Sequence, residues 1–127
     1  MEKYVATIIV VDDSAAIREY VKTALAGKGH TIIEGVDGVD GLAKIMEIKT
    51  PDLVISDINM PGLDGLAMLL KAKEQLGTIK FPVFVLTTET SDALKTSGKG
   101  VGVLAWINKP CDAAKLVAAV DKVLARK

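Results

Sequence analysis

The sequence predicts a single α/β domain built on a five-stranded parallel sheet, doubly wound with helices on both faces. Three observations carry this. Five short aliphatic runs alternate with segments of helical periodicity, and alternating β and α units imply right-handed crossovers. The runs are apolar on both sides of the chain, as central parallel strands covered on two faces require. The 127 residues are half hydrophobic, which suits one domain with one substantial core.

The first run, Val5–Val11, ends in Asp12-Asp13. Ser14 then caps a helix whose Ile17, Val21 and Leu25 recur every fourth residue, ending at Gly27 or Gly29. Thr31–Gly35 is the second strand, and Val39–Ile48 a second helix stopped before Pro51. Leu53–Ser56 is the third strand, after which Asp64 caps a helix with Met68, Leu69 and Leu70 inside. Pro82–Thr87 is the fourth strand. Thr90–Gly102 reads as a short helix with a loose end, because Gly98, Gly100 and Gly102 each weaken a helix by about 1 kcal/mol relative to Ala. Val103–Ile107 is the fifth strand. Asp112 caps the last helix, with Leu116, Val120 and Leu124 on one face and Lys115, Asp121 and Lys122 on another.

Composition excludes several classes. Lys plus Arg and Asp plus Glu number 16 each, so no bulk basic field offers itself to nucleic acid. A lone cysteine, Cys111, cannot form an internal disulfide, and a lone histidine, His30, cannot build a His-based metal site. No apolar stretch approaches the roughly 20 residues that span a bilayer. The N-terminus runs straight into a strand-like segment, which argues against a signal peptide. The expectation is a cytoplasmic protein without membrane attachment. With no linker or second composition regime, residues 1–127 are expected to form one domain with no separate output domain.

In doubly wound sheets, ligands sit beyond the carboxyl ends of the strands. There the sequence carries Asp12 and Asp13 after the first strand, Asp57 after the third, Thr87 ending the fourth, and Lys109-Pro110 after the fifth. If these strands are parallel neighbours, three carboxylates, a hydroxyl and an ammonium converge on one rim. Clustered carboxylates repel, and a hard divalent cation relieves that repulsion. Mg²⁺ takes oxygen ligands, often one or two carboxylates plus a phosphate oxygen. With no run of His or Cys to compete, zinc and copper are disfavoured.

Four separated motifs occur in order: Asp12-Asp13; Ser56-Asp57-Ile58-Asn59-Met60-Pro61-Gly62-Leu63-Asp64-Gly65; Thr87-Thr88-Glu89; and Ala105-Trp106-Ile107-Asn108-Lys109-Pro110. On these the chain resembles, over essentially its whole length, the receiver domains of bacterial two-component systems, in particular the stand-alone CheY-like chemotaxis type. The resemblance implies a flavodoxin-like sheet of order 2-1-3-4-5.

It also implies a role for each residue. Asp57 is the phospho-acceptor, forming a labile acyl phosphate; a lone Asp before a loop would ordinarily cap a turn. Asp12, Asp13, Asp57 and the main-chain carbonyl of Asn59 hold Mg²⁺, although an isolated Asp-Asp pair ahead of Ser14 would read as helix capping. Lys109 gives a compact charge to a phosphoryl oxygen, and the Lys109–Pro110 bond is cis. Thr87 bonds a further phosphoryl oxygen, dragging the loop Thr88–Asp92 and opening space for Trp106 to turn inward. Tyr or Phe is commoner in the family at Trp106, where a half-buried core aromatic is the alternative reading. Asn59 and Glu89 tune dephosphorylation. Cys111 replaces a common Phe and reads as a small buried filler.

The implied function is a phosphorelay response regulator: a signalling switch, not an enzyme, phosphorylated on Asp57 by a sensor histidine kinase. Its implied partners are a protein target, such as a flagellar motor switch component, and a phosphatase. The chain is expected to be monomeric. A relay or phosphate-sink receiver is an alternative within this class. The rival from another class is a small Mg²⁺-dependent phosphatase with an Asp nucleophile. Such enzymes usually place that Asp after the first strand, with a second Asp two residues later.

Overall fold

The structure, a computed structural model, describes residues 5–88 and 92–125, and of Ala93 only the backbone. Five strands alternate with five helices: β1 (Thr7–Val11), α1 (Ala15–Leu25), β2 (Thr31–Gly35), α2 (Gly38–Ile48), β3 (Leu53–Ser56), α3 (Gly65–Leu76), β4 (Val83–Thr87), α4 (Asp92–Gly100), β5 (Val103–Asn108) and α5 (Ala113–Leu124). All four strand pairings are parallel, and the sheet order is β2-β1-β3-β4-β5. The expected fold class and strand order are those observed.

Alternation along each strand divides the core in two. On one face Ile9, Val11, Val54, Val83 and Val85 pack with Ile45 of α2 and Met68, Leu69 and Ala72 of α3. On the other, Ile8, Val10, Leu53, Ile55, Phe84 and Leu86 pack with Val21 and Leu25 of α1 and Leu116, Val120 and Leu124 of α5. β3 and β4 are buried throughout and β1 nearly so. The expectation that all five strands are covered on both faces fails for the edge strands β2 and β5, which are mostly half-exposed.

Helix starts follow capping chemistry. The side chains of Ser14, Asp37, Asp64 and Asp112 each accept from a main-chain N–H in the first turn of the helix they precede. α1 gives way to a short 3₁₀ turn, Ala26–Lys28, and Gly29 stops it at φ 77°. In α3, Met68 and Leu69 are buried but Leu70 is 48% exposed. The expectation that placed all three inside is corrected: at about 100° per residue, Leu70 turns away from the face that Met68, Leu69 and Ala72 share.

β1 begins at Thr7, where pairing with Thr31 starts, two residues later than the apolar run. Pro82 lies outside β4, although its carbonyl accepts from Val54 N–H at 3.1 Å. α4 occupies Asp92–Gly100 within the expected Thr90–Gly102, and Thr90 itself lies outside the described residues.

One irregularity places a functional candidate. Val83 pairs with Val103 but Phe84 pairs with Ala105, leaving Leu104 as an extra residue in β5, 51% exposed. A one-residue slip exchanges the two faces of a strand. Trp106 therefore packs with Val103 on the α4 side, whereas Ala105 and Ile107 join the opposite core.

Candidate phosphoryl-acceptor and metal site

The C-terminal ends of β1, β3, β4 and β5 meet at one rim. Main-chain bonds tie them there: Asp12 N–H donates to the Gly35 carbonyl at 3.1 Å, Asp57 N–H to Val11 at 3.0 Å, and Lys109 N–H to Thr87 at 3.0 Å. Carboxylate oxygens of Asp12, Asp13 and Asp57 lie within 4.8 Å of one another. Asp12 and Asp57 are buried, at 2% and 7% exposure, and Asp13 is exposed. The expected convergence of the three acids is present.

Lys109 spans two of them. Its Nζ lies 2.9 Å from Asp12 Oδ2 and 2.8 Å from Asp57 Oδ2. The Lys109–Pro110 peptide is cis, as the resemblance implies. Burial alone pulls the Lys109 ammonium toward lower pKa, but the hydrogen bonds it donates to Asp57 and Asp12 outweigh it and hold the group above its ordinary value. Burial pushes the Asp12 carboxyl above its usual value, against the opposing pull of Lys109 and the Ser14 amide. Two acids and one ammonium leave the buried centre with an excess of negative charge, and Asp13 adds to it. An all-oxygen donor set with surplus negative charge fits a hard divalent cation, Mg²⁺ above all.

The local backbone aims the two buried acids. Asp57 Oδ1 accepts from Ile58 N–H at 2.6 Å, and its carbonyl accepts from the Ser56 hydroxyl at 2.8 Å. Asp12 Oδ1 accepts from Ser14 N–H at 2.9 Å. Gly65 packs directly against Asp57: a Cβ there would lie 2.1 Å from the Asp57 carbonyl oxygen. Its own N–H donates to the Ile58 carbonyl at 2.9 Å, folding the loop back over the nucleophile's main chain.

The remaining candidates are placed as follows. Thr87 is fully buried at the end of β4. Asn59 is exposed on the β3–α3 loop, and Glu89 lies outside the described residues. Trp106 is half-buried, with its ring against α4: a Cβ at Gly98 would lie 2.6 Å from Trp106 Cζ2. Cys111 is half-buried beside the α1–α5 core, and burial raises its thiol pKa, with Asp112 adding to the shift. That leaves it a poor nucleophile.

Arg18 escaped the sequence reading. Its Nη1 donates to the Asp12 carbonyl at 2.6 Å, and its Nε to Glu34 Oε1 at 2.9 Å. The available signal was spacing, since Arg18 stands one helical turn beyond Ser14 on the same face.

The comparisons agree with this geometry. Residues 8–121 match the response regulator receiver domain. Protein PilH of Pseudomonas aeruginosa is 33% identical over 94% of this chain and 98% of its own length. The DNA-binding transcriptional regulator NtrC of Salmonella typhimurium is 36% identical over 91% of this chain, which spans only 24% of NtrC. The solved structure of Vibrio cholerae chemotaxis protein CheY4 superposes with a TM-score of 0.85 at 34% identity, over 94% of this chain and 99% of that one. Receiver domains are signalling switches that generally bind Mg²⁺ in an acidic pocket. With its acids, lysine and sheet order in the arrangement just described, the chain belongs to the response regulator receiver family.

Proposed function

We propose that this protein is a phosphorelay switch whose Asp57 accepts a phosphoryl group from a sensor histidine kinase and whose phosphorylated form changes affinity for a protein target. The observation that carries the reading is the Lys109 ammonium set between Asp12 and Asp57 at 2.9 and 2.8 Å, with Asp13 alongside.

An Asp57 carboxylate oxygen attacks phosphorus. A P–O bond forms as the donor's P–N bond breaks, and the donor imidazole leaves with its electron pair. Such transfers depend on positioning and charge neutralisation more than on covalent work by the protein. Asp12, Asp13, Asp57 and the Asn59 carbonyl are the proposed Mg²⁺ ligands; when bound, the ion neutralises acid charge and the charge of the transferring group. Lys109 takes one phosphoryl oxygen. Thr87 supplies a hydroxyl to another, and that movement is read out at Trp106. Asn59 and Glu89 are the residues that tune loss of the phosphoryl group in this reading.

Chemotaxis-type signalling, with a flagellar motor component as target and a phosphatase as partner, is the finer reading, supported by the likeness to CheY4. A cytoplasmic location belongs to the same reading. Among the described residues no helix is long and apolar enough to cross a membrane. The position of Asp57 after β3, not β1, sets the chain apart from Asp-nucleophile phosphatases.

Acetyl phosphate with Mg²⁺ is expected to add one phosphoryl mass to the intact protein, and Asp57→Asn to abolish it. Retention of that mass in the variant would place the acceptor elsewhere.

A further inference from the structure

Arg18 is a mostly buried cation that the proposed phosphoryl chemistry leaves unused. It lies on α1 with its side chain only 12% exposed. Its guanidinium joins two strand ends, donating through Nη1 to the Asp12 carbonyl at 2.6 Å and through Nε to Glu34 of β2 at 2.9 Å. Lys22 also reaches Glu34, at 3.1 Å. The planar fork makes the two bonds through separate nitrogens, Nη1 and Nε, a spread that a single ammonium nitrogen does not reproduce.

Besides the Lys109 bond to its Oδ2, Asp12 is held at three further points. Its amide donates to Gly35, its Oδ1 accepts from the Ser14 amide, and its carbonyl accepts from Arg18. The first two anchors belong to the sheet edge and the helix cap. The third is the only one of these made by a side chain from the second turn of α1, and it is charge-assisted, which makes it the strongest kind available to a carbonyl.

We propose that Arg18 is a positioning residue for the cation site, clamping the Asp12 main chain so that its carboxylate faces Asp57, while Glu34 neutralises the charge that would otherwise repel the ion. The inference rests on Asp12, Asp13 and Asp57 being the cation site. Charge and positioning make opposite demands. A positive group near an acidic pocket weakens cation binding through its field, so its removal would tighten binding if field were all that mattered. Loss of a clamp loosens binding instead.

The test is calorimetric titration of MgCl₂ into the unphosphorylated full chain, comparing wild type, Arg18→Ala and Arg18→Lys below each one's unfolding midpoint. Partners that orient metal ligands typically contribute 10–100-fold in affinity, so Arg18→Ala is expected to bind Mg²⁺ about tenfold more weakly, with Arg18→Lys in between. Unchanged or tighter binding by Arg18→Ala overturns the inference, even where its thermal midpoint has fallen. If Arg18→Ala does not fold, Arg18→Lys decides, because it keeps the charge: weaker binding supports the clamp and unchanged binding overturns it. Wild-type protein that takes up no Mg²⁺ overturns both this inference and the site on which it rests.

Discussion

Lys109 carries the charge balance of the site, and its behaviour follows from two opposed influences. Burial disfavours the ammonium, but bonds to Asp57 and Asp12 favour it more strongly, so it stays charged at neutral pH. Arg at this position keeps the charge but replaces a compact ammonium with a longer, planar group. Lys109→Arg is therefore expected to accept a phosphoryl group at Asp57 while losing the accompanying change in Trp106 emission; a wild-type spectral response in phosphorylated Lys109→Arg would contradict this. Gly65 makes a steric demand. A methyl group 2.1 Å from the Asp57 carbonyl oxygen cannot be accommodated without moving the loop. Overpacking of this kind costs about 1–3 kcal/mol, so Gly65→Ala should unfold at lower denaturant and take up phosphoryl groups more slowly. Equal midpoints and rates would show that the loop has slack.

The irregular elements do as much as the regular ones. The extra residue Leu104 turns Trp106 toward α4, where the helix offers it a glycine. Gly98→Ala would set a Cβ 2.6 Å from the indole, so a shifted emission maximum is expected in the unmodified protein. An unchanged spectrum would mean that the ring does not rest on α4. Between α1 and β2, hydrogen bonds from Arg18 first and Lys22 second hold Glu34 below its ordinary value of 4.5. A depressed folded-state value means that Glu34 stabilises the fold fully above about pH 4.5, the stabilisation being lost as pH falls through the depressed value. Glu34→Gln should therefore lower the thermal midpoint at pH 7, with the gap to wild type closing as the pH falls below 4.5 and through the depressed value. A gap that persists in acid would assign the loss to packing.

Across the whole molecule, the sheet separates two cores with no buried residue in common. Ile45 lies in one and Ile55 in the other, at 0% and 1% exposure. Ile→Val in a core costs about 0.5–1.5 kcal/mol, and substitutions without shared partners add to within about 0.5 kcal/mol. Urea unfolding of Ile45→Val, Ile55→Val and the double variant should show that additivity. A larger discrepancy would mean that the sheet transmits packing strain from one face to the other.

Strand runs, three of the four side-chain helix caps, and the acids and lysine at the rim were all legible in the linear chain. Each is written in a few consecutive residues: an aliphatic run, an Asp or Ser ahead of a helix, an Asp after a strand. Asp37 as the cap of α2, the outward turn of Leu70 and the exposure of β2 and β5 were missed, because burial depends on which neighbours arrive. The bulge at Leu104 is invisible for the same reason, since a bulge exists only relative to the strand it pairs with. Lys109 reaches Asp12 across a separation of 97 residues, and Arg18 reaches Glu34 across 16. Contacts of that range leave no periodic trace. The chemistry of the acidic rim is local and could be read from residue types, but its geometry, and the clamp that holds Asp12 in place, arise only when β1 is laid between β2 and β3.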